Sequence, residues 1–118
     1  MALTLRTIET DVGKELMNCD GTPAASITVS FRLVTAGGGL ASIVDTNSGE
    51  NILTKTIEAT TGVTGSLSIS LWPTSRGDKL CYYQVSVPNG PNFKAPLPDG
   101  VGNLSWEDFV TGRVDTTV

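Results

Sequence analysis

The side chains best suited to chemistry in this 118-residue chain are three aspartates, Asp45, Asp78 and Asp99, and two cysteines, Cys19 and Cys81. The chain contains no histidine. That removes Ser-His-Asp and Cys-His nucleophilic arrangements together with the usual His-containing metal sites. Lysine or a carboxylate would have to act as base. A two-carboxylate glycosidase needs an acid and a base or nucleophile flanking one sugar bond, and the spacing of the aspartates selects no such pair. All three sit in or beside turn-like segments, where Asp is favoured because its side chain bonds nearby backbone amides. A turn role is therefore the expectation for each. The segment Asp45-Thr46-Asn47-Ser48-Gly49-Glu50-Asn51 has the look of a calcium loop but lacks the twelve-residue spacing and terminal bidentate Glu of an EF-hand. Gly37-Gly38-Gly39 has neither a P-loop lysine nor a G-x-G-x-x-G opening a helix, and reads as a strand connection. Two cysteines without histidine do not make a usual zinc site. They allow one disulfide, which a cytosolic origin disfavours, and Cys81 reads as a small core residue. No catalytic, cofactor-binding or metal-binding residue is expected.

The remaining candidates are aromatic. Trp72, Tyr82, Tyr83, Phe93, Trp106 and Phe109 could build a carbohydrate-binding or partner-binding surface, because flat amphipathic rings bury large area at low entropic cost. Tyr83 and Phe93 read as core. Trp72, beside Pro73 at a strand end, and Trp106 are expected to pack over one open end of the fold.

These residues ride on strands. Ile27, Val29, Phe31 and Leu33 alternate with Thr28, Ser30, Arg32 and Val34; Leu67, Ile69 and Leu71 alternate with serines; Cys81, Tyr83, Val85 and Val87 alternate with Tyr82, Gln84 and Ser86. Period two is the mark of half-buried strands. Weaker strand candidates are 3–8, 40–45 and 52–58, the last two flanking turn chemistry at 46–50 and so suggesting a hairpin over 40–58. Gly37 to Gly39, Gly62 to Gly65 and Asn89-Gly90-Pro91-Asn92 punctuate the joints. Ser105 and Asp108 match a capping box and open a short helix that Gly112 ends. Residues 11–24 have no clean period and read as a loop or an arm, and 114–118 as a tail that is loose or pairs with a neighbouring chain. The spacing of turns predicts an all-β chain: a single small β-sandwich, Ig-like or an open barrel, with one short C-terminal helix. An N-terminal strand and arm over 1–24 would precede a β-sandwich domain over 25–118.

Composition agrees with one folded domain, since 39% apolar and 17% charged residues without like-charged blocks are globular proportions. Eight basic against twelve acidic residues give a net charge of -4, with the bases scattered from Arg6 to Arg113. That distribution argues against nucleic acid as a partner. No apolar run is long enough to span a membrane. The N-terminal residues lack the basic leader and apolar core of a signal peptide, so synthesis without export is expected.

Leu71-Trp72-Pro73, Gly77, Tyr83-x-Val85, Phe93 and Leu97-Pro98-Asp99, followed by Leu104 and Phe109, resemble in order and spacing a small β-sandwich module of tailed-bacteriophage virion proteins. In that module a strand ending in Leu-Trp-Pro-Asn leads through a Gly-containing turn to a Tyr-x-Val strand. A Val-Pro-Asp segment and a short helix then close it. The resemblance covers roughly residues 25–110, with Thr74 in place of Asn and Leu97 in place of Val. A stand-alone module of this size is similar to capsid decoration (cement) proteins, which bind the head shell, commonly as trimers. It implies location in the virion, no cofactor, and the major capsid protein or another virion protein as partner, with residues 1–24 as an arm. Leu3, Leu5, Trp72, Trp106 and Phe109 are the interface candidates. The alternative is a tail-fibre or tail-tip module that recognises host-surface saccharide through rings and amides near Trp72, Asn89 and Asn92.

Overall fold

Period-two alternation survives folding as strand burial. In β2 (Thr28–Thr35) Val29, Phe31 and Leu33 are buried, while Arg32 between them is exposed. The pattern repeats in β6 (Ser68–Leu71), where Ile69 and Leu71 point inward between exposed serines, and in β7 (Cys81–Ser86), where Cys81, Tyr83 and Val85 do. Val34 departs from the alternation. It is buried on the opposite face of β2 from Leu33, outside the main core cluster. The computed structural model describes residues 4–18, 20–35, 43–53, 55–88 and 92–112.

Strands β1 (Arg6–Glu9), β3 (Ile43–Val44), β4 (Asn51–Ile52), β5 (Thr56–Thr60), β8 (Asn92–Ala95) and β9 (Leu104–Ser105) complete the set, and α1 (Trp106–Thr111) ends it. They form a three-stranded sheet β6-β1-β9, a four-stranded sheet β5-β2-β7-β8 and the pair β3-β4. Apolar residues of the two larger sheets meet in one core: Ile8 and Leu71 from the first, Phe31, Leu33, Tyr83 and Val85 from the second, closed by Phe109 of the helix. Two sheets sharing one apolar layer make the chain all-β, and each large side chain removed from water there stabilises the fold by about 1.5–3 kcal/mol. Among the described residues no helix is long and apolar enough to cross a membrane.

Two expectations change. The hairpin over 40–58 stops at β4, which pairs antiparallel with β3 through Ile43 opposite Ile52. Strand β5 leaves it to pair with β2, Phe31 lying opposite Ile57. The expected N-terminal strand forms, and of the two readings of 11–24, a loop or an arm, the described residues follow the loop. Strand β1 is the centre of its sheet, antiparallel to β6 and parallel to β9. The described part of 11–24 folds back on the turn after β5, with Leu16 N–H donating to Gly65 O (3.0 Å) and Ala24 N–H to Leu16 O (3.0 Å). Leu16 packs on the core and Ala24 is buried, so apolar contact holds the segment down. Thr61 fastens its end, its buried hydroxyl donating to Ala24 O (2.6 Å) and accepting from Ile27 N–H (3.0 Å). The helix starts as its sequence predicts, with Ser105 Oγ accepting from Asp108 N–H at 3.1 Å. Leu3, Cys19, Gly37 to Gly39, Asn89 to Pro91 and the tail at 114–118 lie outside the described residues.

Candidate functional site

Asp45 and Asp99 are engaged by amides of their own turns, as expected, whereas Asp78 is bonded by a β3 amide 34 positions earlier in the chain. Asp45 Oδ1 accepts from the N–H groups of Asn47 (2.8 Å) and Ser48 (3.4 Å), and Asp78 Oδ1 from Val44 N–H (3.0 Å). Asp99 Oδ1 accepts from Gly100 N–H (2.9 Å), and its Oδ2 from Arg76 Nε (2.9 Å). Carboxylates that accept backbone N–H groups in this way help fix the local chain path.

Asp45 does more than cap a turn. The residue is buried, and its Oδ2 accepts the Trp72 indole N–H at 3.1 Å. The Trp72 carbonyl accepts the Tyr83 hydroxyl at 2.7 Å. Around the next turn Thr74 exchanges bonds with Leu97, main-chain N–H to Leu97 O (2.9 Å) and Leu97 N–H to Thr74 Oγ1 (2.9 Å). The result ties β3, the 72–78 segment, β7 and the stretch after β8 into one buried polar joint. Nothing in sequence spacing announced the indole-carboxylate bond. In the same loop Glu50 Oε1 is buried with no hydrogen-bond partner among the described residues, and nothing in the structure explains it.

The backbone N–H of Asn47 foremost, then the indole, the Ser48 N–H and Arg76, hold the Asp45 carboxyl below its ordinary value of 3.8, against the opposing effect of burial. A carboxyl whose folded pKa is depressed contributes stability that is complete above the unfolded value and lost as pH falls through the folded one. Asp20, lowered by its bonds to Thr22, adds to the same acid window. Asn at position 45 could keep the turn bonds but would aim an amide N–H or a weaker acceptor at the indole. Urea unfolding of wild type and Asp45→Asn is therefore expected to show the variant less stable at neutral pH, with the gap narrowing below about pH 4. A gap independent of pH would remove the charge of Asp45 from the account.

The interface candidates scatter. Trp72 is 4% exposed and Phe109 1%, so both are core residues rather than surface ones, because the two sheets and the helix close over them. Leu5 is 52% exposed. The parallel register of β1 with β9, Ile8 opposite Leu104, puts Leu5 toward the end of β1 away from Trp106. Trp106 is half-buried, with its ring edge-on to Phe31 (6.3 Å between centroids) and Phe93 (6.1 Å) and tilted against Phe109 (6.0 Å). Its remaining surface lines a shallow groove of about 490 Å3 with Lys14, Glu107, Val110 and Thr111. Lys14 Nζ stands 3.1 Å from Glu107 Oε2 across that groove in solvent. The hydrogen bond that Lys14 donates to Glu107 raises the Lys14 pKa, so the ammonium stays charged.

Cys81 is a buried free thiol, its Sγ 3.7 Å from Thr74 O. Burial, aided by the Asp78 charge, pushes its pKa up to about 11, which suppresses the reactive thiolate. One surface escaped the sequence reading altogether: strand β5, four of whose five residues are exposed at the margin of the four-stranded sheet. Its Thr-Ile-Glu-Ala-Thr alternation marks a strand but not an uncovered one.

No family model matches the chain, and no curated protein matches its sequence.

Proposed function

We propose that this chain is a non-enzymatic structural protein of a tailed-bacteriophage virion, a capsid decoration protein that binds and stabilises the head shell as an oligomer. The observation that carries this reading is where the residues of the phage-module resemblance meet. Tyr83 bonds the Trp72 carbonyl, Phe93 packs against Phe109, and Leu97 and Asp99 bond Thr74 and Arg76 in the turn between Pro73 and Gly77. The ordered motif thus holds the 72–77 turn, β7 and the stretch after β8 together, through buried bonds at Trp72 and Thr74 and a partly exposed ion pair at Arg76. Such a joint suits a protein whose task is to be a rigid body with usable edges and faces.

Binding energy alone would do the work. A protein that contacts neighbouring shell subunits only in the assembled state stabilises that state by mass action, without chemistry or cofactor. Serine and threonine along the outer faces of β5 and β6 keep those surfaces wettable before assembly.

The test is copy number and position in purified particles, by quantitative mass spectrometry and labelled electron microscopy. Copies in simple proportion to the major capsid protein, with label over the head, are expected. A few copies confined to the tail would replace the decoration role with host-surface recognition, for which the Trp106 groove with its charged rim is the available face. Absence from particles would sink the virion reading.

A further inference from the structure

Sheet edges present unpaired N–H and C=O groups, and folds commonly guard them with proline, charge or a covering element. Of the four outer strands of the two larger sheets, β6 runs within two residues into Pro73, β8 directly into Pro96 and β9 directly into helix α1. After β5 come Thr61 and Gly62, and the one charge within it, Glu58, stands on the opposite face of the strand from Ile57. No described strand lies on its outer side. Ile57 lies opposite Phe31 and so shares the core-facing side of the sheet, yet it is 38% exposed, because that margin is left uncovered.

We propose that β5 pairs antiparallel with β5 of a second copy across a two-fold axis, joining two four-stranded sheets into one of eight. An axis normal to the sheet keeps like faces on the same side, so only registers centred on a residue are allowed. Centring on Glu58 sets two carboxylates directly opposite each other, which is destabilising. Centring on Thr56 or Ala59 leaves each Ile57 facing Lys55 or Thr61. Centring on Ile57 packs the two exposed isoleucines together, with Thr56 opposite Glu58 and Lys55 opposite Ala59. That register alone covers the apolar side chain and opposes no like charges. A pairing this short falls well below the roughly 1,000 Å2 of a stable interface, so the dimer forms reversibly. The contact does not depend on the virion reading.

Sedimentation of the full chain from micromolar to near-millimolar concentration is expected to show the mass rising from monomer toward dimer. Ile57→Lys, a change at an exposed position, keeps the circular dichroism spectrum and stays monomeric. In a Cys19→Ser background, oxidation links Ile57→Cys into a dimer at least tenfold faster than Glu58→Cys, because only residue 57 faces its own copy at about 4.5–5.5 Å between Cβ atoms. A wild type monomeric throughout, a trimer, an Ile57→Lys variant that associates like wild type, or equal cross-linking at 57 and 58 would each overturn the proposal.

Discussion

Replacing Trp72 by alanine is expected to lower the melting temperature by roughly 10–30 °C, or to leave the chain unfolded at room temperature. Truncating a buried Trp to Ala costs about 3–5 kcal/mol through lost transfer energy and the cavity left behind. Domains of this size hold about 5–15 kcal/mol in total, and each kcal/mol moves the transition several degrees. At Trp72 a second loss is added. The ring fills the core, and its N–H is the partner of Asp45 Oδ2, which would be left buried with one oxygen unpaired. Trp72→Phe keeps most of the volume and removes only the N–H, so it should fall between wild type and alanine. Thermal circular dichroism decides the matter, and an alanine variant melting within about 3 °C of wild type would contradict the core placement. One consequence is practical. Loss of any binding activity in Trp72→Ala would report unfolding, so tests of a surface belong at Trp106, Glu107 or Ile57.

Gly65→Ala is expected to cost more than about 2 kcal/mol, from left-handed backbone strain and a steric clash together. Gly65 has φ +85°, and a Cβ there would overlap the Leu16 carbonyl oxygen. The same turn accepts Leu16 N–H on Gly65 O, so displacing it separates residues 14–18 from the domain and uncovers Ala24 and Leu16. Gly49→Ala is the control. It has a similar φ of +78° with nothing near the added methyl, and so incurs the backbone strain alone, about 1–2 kcal/mol. Urea titrations of the two variants separate strain from clash. Equal losses would mean that the segment 11–24 gives way freely and is not fastened to the sandwich.

Local chemistry was legible in the residue order, and long-range placement was not. Alternation identified β2, β6 and β7, because side-chain period is a property of a single strand. Ser105 marked the helix start and Asp45 its own turn, since each bond spans only two or three residues. The same alternation could not tell β5 from a covered strand, nor name β2 as its partner in place of the β3 hairpin. It also could not show that β1 runs parallel to β9, nearly a hundred positions away. Trp72 and Trp106 looked alike as rings at element ends. Only the closure of two sheets made one a core residue bonded to a carboxylate 27 positions earlier and left the other lining a groove. The residues by themselves determined an all-β chain and the main apolar side of β2, β6 and β7. Which apolar sides found cover, and which were left at an edge, was decided by packing, because burial belongs to pairs of surfaces brought together across the chain.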